Sequence, residues 1–465
     1  MKEFLSKNLI KLAESLPKPL YVVGGLVRNY HICKKENLDF EKICLKNSFD
    51  CDLASPLTVE ELLPYLTDCG FFVVATYKRT NTVVFKEDGN LHYEFTTFRT
   101  EKYHGGEHTP YEVVPTTDIL LDAKRRDFKC NAVYYDIKKG ETVDPLGGLV
   151  DIKNGVLSTA DTPEKVFSFD GLRLLRLARF AGELNFKVDK DTLISAKEHR
   201  NNIDQIVPER IYEELKRILV ADKKYLFSDK SGHYTALKVL DEIRVLDRII
   251  PELTLGRNLL QRKDFHNYDV LEHSLRTVFY ADEKVRLSAL FHDVGKPYAM
   301  KTYGKYASHP FDGEKIAIEV LERLKAPKKV IEEVAHLTKW HMYDVDMKAK
   351  EKKVRLFIAD NIDYLDRFLL LKQADFSACK DDLSVAPTVK KWREIYQKMV
   401  SENVPFKLND LAVNGKDIQK LGINGQEISK TLNLLRKECI LNPTLNEKEK
   451  LISLAVRLKN KPQKF

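Results

Sequence analysis

Ser48-Phe49-Asp50-Cys51-Asp52-Leu53-Ala54 is the stretch on which the reading of this chain turns, taken with Val22-Val23-Gly24-Gly25-Leu26-Val27-Arg28 ahead of it. Asp50 and Asp52 stand two apart in a strand-like run. Side chains alternate across a strand, so both carboxylates leave the same face of a sheet. Two acids that close repel, and one resists ionising unless a cation lies between them. Mg²⁺ is commonly held by one or two carboxylates together with substrate phosphates. The Gly24-Gly25 turn lets backbone approach a phosphate, and Arg28 supplies a planar charged donor. The combination points to nucleotide handling, with a hydroxyl activated for attack on a triphosphate. Read alone, the Asp-x-Asp also fits a solvated strand end beside a turn.

At 465 residues the chain has room for two to four domains. Its hydrophobic fraction of 43% and charged fraction of 31% are those of a soluble globular protein. No apolar run reaches the roughly 18 residues of a membrane span, and the start lacks the apolar core of a signal peptide. The seven cysteines (Cys33, Cys44, Cys51, Cys69, Cys130, Cys379, Cys439) are scattered and never form a C-x-x-C pair. Reduced thiols in a cytoplasmic compartment are expected. The net charge of +8 permits a nucleic-acid partner without requiring one.

In chain order, residues 4–16 have helical spacing and stop before Pro17. Leu20–Val23 reads as a strand, followed by the glycine turn and a helix from about Leu26. The Asp50/Asp52 strand comes next, then a helix near 58–66 and β-rich runs at Phe71–Thr76, Thr82–Phe85 and Leu91–Phe98. These predict a small α/β domain with a mixed or antiparallel sheet. Glu94, flanked by Tyr93 and Phe95, is placed to complete an acidic metal-binding cluster from a neighbouring strand, or else to pair with Arg99 or Lys102. Residues 100–118 are polar and Gly/Pro-marked and read as a mobile loop. In Asp122-Ala-Lys-Arg125-Arg126-Asp127-Phe128-Lys129-Cys130-Asn131, paired arginines, acids and an amide fit either hydrogen bonding to sugar and phosphate or a capped surface helix. Asp144-Pro-Leu-Gly147-Gly148 marks a tight turn.

From about Thr162 the chain is predominantly helical. Phe167-Ser-Phe169-Asp170-Gly-Leu-Arg173-Leu-Leu-Arg176-Leu-Ala-Arg179-Phe180 carries arginines at steps of three among leucines. Some must face inward or into a cleft, where they need anionic partners. Nucleotide phosphates and acidic side chains both qualify. Glu209, at the start of the next helix, is a candidate partner.

The ordered set G-G-x-V-R, D-x-D, E-x-T-T-F-R, R-R-D-F-x-x-N-A, D-P-x-G-G, D-x-x-R-x-x-R-x-x-R-F and E-R-I-x-x-E-L, over about residues 18–220, resembles the tRNA nucleotidyltransferase / poly(A) polymerase family. Within it, the set is most similar to the bacterial class II enzymes that add CCA to tRNA. The resemblance implies a polymerase-beta-like head in which Asp50 and Asp52 hold Mg²⁺, with Glu94 as third acid. It also implies that Gly24, Gly25 and Arg28 meet the triphosphate and that Arg126 and Asn131 meet the ribose. Asp170 and Arg173 would pair with the edge of CTP or ATP as a protein template, supported by Arg176 and Arg179. Donors on Arg and acceptors on Asp match C or A and leave G and U badly paired. The chain departs from the family at three places: Asn29 replaces an Asp, Lys129-Cys130 replace Thr-Ile, and Phe169 replaces a Glu that buttresses the template arginine.

A second constellation follows. Six of twelve histidines fall between residues 266 and 341. His273, His292-Asp293-Val-Gly-Lys296, His309, His336 and His341 resemble the HD superfamily of metal-dependent phosphohydrolases. That resemblance implies a divalent metal (Mn, Ni, Mg or Fe) on His273, His292, Asp293, His309, His336 and Asp375. The last part of the chain is helical with basic patches suited to RNA phosphates. Asn409–Asp417 resembles a tail motif of the same bacterial enzymes.

The expected chain is therefore α+β: a head over 1–155, a helical neck with the templating residues over 156–257, an HD domain over 258–380 and an RNA-binding tail over 381–465. The expected activity is CCA addition to tRNA from CTP and ATP, in the cytoplasm and without a membrane. Poly(A) polymerase activity, partial CC- or A-only addition, and an HD phosphohydrolase with an inactive head stand as alternatives.

Overall fold

The computed structural model describes residues 1–45, 50–88, 91–225 and 227–459. Ser48 and Phe49 lie outside the described residues, as do the side chains of Cys44, Leu45 and Asp50. Contacts divide the chain into two compact units, Met1–Leu255 with Val320–Pro327, and Gly256–Glu319 with Lys328–Phe465.

The first unit opens with α1 (Lys7–Ser15), whose N-cap Ser6 accepts a hydrogen bond from the Leu9 N–H at 3.1 Å. There follow β1 (Tyr21–Val23), α2 (Gly25–Lys35), β2 (Asp50–Ser55), α3 (Val59–Asp68), β3 (Phe72–Tyr77), β4 (Thr82–Glu87) and β5 (Leu91–Thr97). Thr58 and Glu61 form a reciprocal capping box at the start of α3, which fixes where that helix begins. Next come β6 (Arg99–Lys102), β7 (Glu112–Pro115), α4 (Ile119–Lys124), β8 (Tyr134–Asp136) and β9 (Glu141–Val143). Seven strands form one sheet in the order β3-β4-β5-β2-β1-β8-β9. It is mixed: β2 and β5 run parallel and the other neighbours antiparallel. Alternation puts Leu53 of β2 and Tyr93 and Phe95 of β5 into the core, leaving Asp52 and Glu94 exposed on the other face.

The segment expected to be a mobile loop contains the β6–β7 hairpin. Tyr111 N–H donates to the Lys102 carbonyl at 2.9 Å and Lys102 pairs with Glu112 at 2.6 Å, so the Gly and Pro signals mark only its tip.

After α5 (Gly148–Asn154) and β10 (Val156–Leu157) the unit turns helical: α6 (Pro163–Phe169), α7 (Leu172–Leu184), α8 (Lys190–Glu198), α9 (Pro208–Leu219) and α10 (Gly232–Glu242), with β11 (Lys187–Val188) pairing β10. Every residue of α7 except Arg176 is buried. Its contact with α10 is backbone to backbone, since a Cβ on Gly182 would lie 2.2 Å from the Gly232 carbonyl oxygen. Two short helices, α11 (Leu246–Ile249) and α12 (Pro251–Thr254), close this part.

The remaining helices are α13 (Val270–Tyr280), α14 (Arg286–Phe291), α15 (Lys296–Tyr303), α16 (His309–Arg323), α17 (Lys328–Trp340), α18 (Glu351–Asp360), α19 (Leu365–Lys380), α20 (Pro387–Ser401), α21 (Gly415–Gln419), α22 (Gln426–Leu441) and α23 (Lys448–Lys459). In the second unit α13 packs on α14 and α19, and α18 packs on α20 and α22. A separate apolar cluster of Leu411, Val413, Ile418, Leu435, Leu451 and Ala455 holds the C-terminal helices. The Asn409–Asp417 motif ends as a helix cap: Asn414 Oδ1 accepts from the Lys416 N–H at 2.9 Å and Asp417 returns the bond. No described helix is long and apolar enough to cross a membrane. Cys33, Cys51, Cys69, Cys130, Cys379 and Cys439 stand outside any disulfide.

Candidate functional site

The sheet register builds the first site. Val23 ends β1 opposite Asp52, and Asp52 stands opposite Glu94 in the parallel β2–β5 pair. Gly24, the N-cap of α2, has φ +80°, and a Cβ there would lie 2.8 Å from Asp52 Oδ2. Only glycine allows the turn to sit this close to the carboxylate. Two carboxylates on adjacent strands, open to solvent, form an oxygen donor set that fits Mg²⁺. Asp50 begins β2 two residues before Asp52.

A cleft of about 690 Å³ opens over these strands. Its lining brings together Gly24, Gly25, Arg28, Asp52, Glu94, Arg126, Asn131, Asp170, Arg173, Arg176 and Arg179, which is every head and neck residue expected from sequence to meet nucleotide or Mg²⁺ apart from Asp50. Residues up to 155 positions apart in the chain share one concavity, which a set of surface ion pairs would not do.

Each basic residue has a defined seat. Arg28 is buried and donates from Nε (3.0 Å) and Nη2 (2.9 Å) to Asn29 Oδ1, from Nη1 to Asn131 Oδ1 at 2.6 Å, and from Nη2 to Tyr225 Oη at 3.0 Å. Asn29 thus seats Arg28 with an amide oxygen, so the arginine is oriented without losing its charge to a carboxylate. Asn131 is buried and bridges two groups, donating its Nδ2 to Asp127 Oδ1 at 2.9 Å. Arg126 donates to Tyr134 Oη at 3.1 Å and to Asp122 at 3.1 Å. Burial works against its charge, but Tyr134, Asp122 and Asp52 outweigh that and raise its pKa. Asp122 is fully buried, so this stretch is an internal network and not a surface helix.

Asp170 precedes α7. Its Oδ1 accepts from the Leu172 N–H at 2.9 Å and its Oδ2 lies 2.8 Å from His108 Nδ1. Arg173 donates to the carbonyls of Arg125 at 2.6 Å and Val166 at 3.4 Å. Arg176 pairs with Asp127. Arg179 is buried between Glu214 at 2.7 Å and Glu183 at 3.0 Å. The expected partner Glu209 is exposed in the first turn of α9; Glu214, on the same buried face as Ile211, Leu215 and Ile218, takes that place. Phe169 stacks on Tyr103 with ring centroids 5.6 Å apart, and Tyr103 donates to Glu101 at 2.5 Å. Glu101 in turn pairs with Arg99 at 2.6 Å and Arg125 at 3.4 Å. At Phe169, where the resemblance led to the expectation of an acid, the contact is aromatic. No local pattern marks His108 or Tyr103 in the sequence, yet the hairpin tip is tied directly to the start of α7. Gly106 N–H donates to the Ser168 carbonyl at 2.7 Å, and Gly171 N–H donates to the Gly106 carbonyl at 3.0 Å.

The second unit carries a separate centre. Asp293 Oδ2 faces His273 at 3.5 Å and His292 at 3.2 Å, with Asp375 Oδ1 3.0 Å from His273. Its other oxygen, Oδ1, faces His309 at 3.1 Å and His341 at 3.5 Å. One carboxylate therefore bridges two clusters, His273/His292/Asp375 and His309/His341. His292, His309 and His341 each donate Nδ1–H to a carbonyl at 2.7 Å, from Ala289, Tyr306 and Thr338. That leaves the Nε2 lone pairs of His309 and His341 facing each other at 3.2 Å, an arrangement that a shared cation relieves. The imidazole–carboxylate set fits a transition metal. His336 is not part of it: its Nε2 meets Asn361 Oδ1 at 2.6 Å and its ring packs on Tyr364 and Phe368. His341 stands where His336 was expected.

Residues 20–158 match the poly A polymerase head domain, residues 185–255 the probable RNA- and SrmB-binding site of polymerase A, and residues 270–367 the HD domain. Over 217 residues (47% of this chain, 50% of the relative) the sequence is 31% identical to the CCA-adding enzyme of Staphylococcus epidermidis. Over 259 residues (53% and 61%) it is 30% identical to the multifunctional CCA protein of Nitrosococcus oceani. The match thus spans about half to three-fifths of these relatives' length. In fold, the chain is similar to the Bacillus stearothermophilus CCA-adding enzyme in complex with CTP, with TM-score 0.65 at 20% identity over 98% of each chain. The Thermotoga maritima CCA-adding enzyme complexed with tRNA gives TM-score 0.57 at 17% identity over 97% of this chain and 94% of that one.

Proposed function

We propose that this chain, carrying a poly A polymerase head, a polymerase-type RNA-binding segment and an HD domain, is a tRNA nucleotidyltransferase that adds CCA from CTP and ATP and releases pyrophosphate. The observation that carries the reading is the single cleft in which the Asp52–Glu94 strand pair, the Gly24–Gly25 turn and the Asp170/Arg173 pair all open. The acids are candidates to hold Mg²⁺ and the glycine turn to admit phosphate, while Asp170 and Arg173 offer the acceptor and donor needed to read a base edge.

Asp50, Asp52 and Glu94 are the proposed ligands for Mg²⁺, which when bound acidifies the RNA 3′-hydroxyl and neutralises charge on the triphosphate. Arg28, its cation set by neutral partners, is suited to the leaving phosphates. Asn131 is proposed to orient Arg28, and Arg126 to meet the ribose. Arg176 and Arg179, locked in ion pairs, hold α7 so that Asp170 and Arg173 keep their aim. Of the proposed domains, head (1–155), neck (156–257), HD domain (258–380) and tail (381–465), the division after Leu255 supports the boundary between neck and HD domain, with Val320–Pro327 of the HD range grouping with the first unit.

Incorporation of each labelled nucleotide into tRNA transcripts ending before, within and after CCA tests this reading. Ordered C, C, A addition that then stops is expected. Long A-tails on any RNA would move the chain to poly(A) synthesis, and no incorporation would overturn the proposal.

The bridging position of Asp293 favours a second activity alongside the first, a two-metal phosphohydrolase in the HD domain. Asp52→Ala separates the two: it is expected to abolish incorporation and leave phosphatase turnover intact.

A further inference from the structure

His273 differs from the other histidines around Asp293. His292, His309 and His341 anchor Nδ1 on a carbonyl, whereas His273 is fully buried and its Nδ1 has no hydrogen-bond partner. Two further donors stand beside it. His266 has a buried, unpartnered Nδ1 of its own, and its ring meets that of His273 edge-on at 4.8 Å. The Cys379 thiol is the other, and the ligand atoms of the three residues lie within 4.8 Å of one another.

Backbone fixes this grouping. Arg262 C=O accepts from Phe265 N–H at 3.0 Å and His266 N–H at 2.9 Å, which folds the segment before α13 into a turn. Asn267 N–H then donates to the carbonyl of Cys379 itself at 2.9 Å, tying that turn to the end of α19. His266 and Cys379 also line a cavity of about 490 Å³, which supplies a route for an ion and room for a solvent ligand.

We propose that His266, His273 and Cys379 form a binding position for a soft divalent cation of the zinc–cadmium kind, separate from the carboxylate-bridged centre but sharing His273 with it. Two imidazoles and a thiolate, with no carboxylate in the set, favour thiophilic ions that accept tetrahedral geometry. Binding replaces the S–H bond of Cys379 by an S–metal bond, and the proton leaves to solvent. A soft cation held here engages a ligand that the hydrolytic centre also uses, so it throttles that centre. This last consequence rests on the HD phosphohydrolase reading; capture of the cation does not.

The test is Cd²⁺ titration of the metal-free full-length chain, followed by thiolate-to-cadmium charge-transfer absorbance. The expected result is a saturable band that is lost in Cys379→Ser and needs roughly tenfold more Cd²⁺ in His266→Ala. Absence of the band in the unaltered chain, or its full retention in Cys379→Ser, overturns the proposal. Mn²⁺ binding by the same variants, read by electron paramagnetic resonance, is expected to persist because Asp293, His309 and His341 are untouched. Retained Mn²⁺ shows that a variant losing the cadmium band has kept its fold. An unaltered chain that gives the cadmium band and binds no Mn²⁺ upholds the soft-metal site and removes the hydrolytic reading.

Discussion

His108 Nδ1 lies 2.8 Å from Asp170 Oδ2, joining the hairpin tip to the carboxylate proposed to read the incoming base. With Oδ1 taken by the Leu172 N–H, His108 determines how much of Asp170 remains to accept from a nucleotide. His108→Ala is expected to leave incorporation in place and to lower the preference for CTP and ATP over UTP and GTP by about fivefold, the worth of one hydrogen bond of about 1 kcal/mol. Single-turnover incorporation of the four nucleotides measures it; an unchanged preference would remove His108 from base reading.

Gly24→Ala places a methyl group 2.8 Å from Asp52 Oδ2 at a backbone φ of +80°. The carboxylate must shift, and misplacement of a reacting geometry by about 1 Å costs on the order of 10²-fold in rate. Incorporation is expected to fall by that factor. Thermal unfolding monitored alongside separates this local effect from collapse of the sheet.

Arg179 is enclosed by Glu183 and Glu214 inside the α7–α9 contact. Arg179→Met leaves the buried Glu183 carboxylate without its cation and Glu214 with only the exposed Arg217 at 3.3 Å, a loss of about 3–5 kcal/mol in unfolding free energy. Glu214→Gln retains the Glu183 pair and is expected to cost less. Urea unfolding of the two variants should give that order.

Asp122 and Asp127 are held well below the usual carboxylate range. Burial opposes their ionisation, but Arg125 and Arg126 around Asp122, and Arg176 with Asn131 around Asp127, outweigh it. A carboxylate whose pKa is lower folded than unfolded adds stability above the unfolded value of about 3.9, and that stability is lost as pH falls below it toward the folded value. The urea midpoint is expected to drop below about pH 4, less steeply in Asp127→Asn. A midpoint that rises on acidification would refute the assignment.

His341→Ala removes an imidazole facing Asp293 Oδ1, whereas His336→Ala removes a ring bonded to Asn361. Metal content after Mn²⁺ loading is expected to fall in the first variant and hold in the second. Equal loss in both would restore His336 as a ligand.

The acids of the head and the arginines of the neck stand out in the sequence because short local periods carry them: two for Asp50 and Asp52, three for Arg173, Arg176 and Arg179. Their convergence does not, since the Asp52–Glu94 register depends on a parallel pairing that no local pattern encodes. His336 and His341 are alike as isolated residues near the end of α17, and only the distant Asn361 and Asp293 tell them apart. Glu214 was within reach, because it falls on the 3–4 spacing of Ile211, Leu215 and Ile218. The partnership of His108 with Asp170 crosses 62 residues and leaves no trace in the spacing of either.

The ring of Phe169 against Tyr103 has a bearing on ionic strength. A partly exposed carboxylate–guanidinium buttress at that position would weaken as salt shortened the screening length, which is already about 8 Å at 0.15 M. Stacked rings carry no net charge and are not screened. A grip on RNA phosphates, by contrast, loosens steeply with salt. Raising the salt concentration should therefore release the polymer first and leave the end of α7 that is proposed to read the base in register, so that affinity declines before fidelity does.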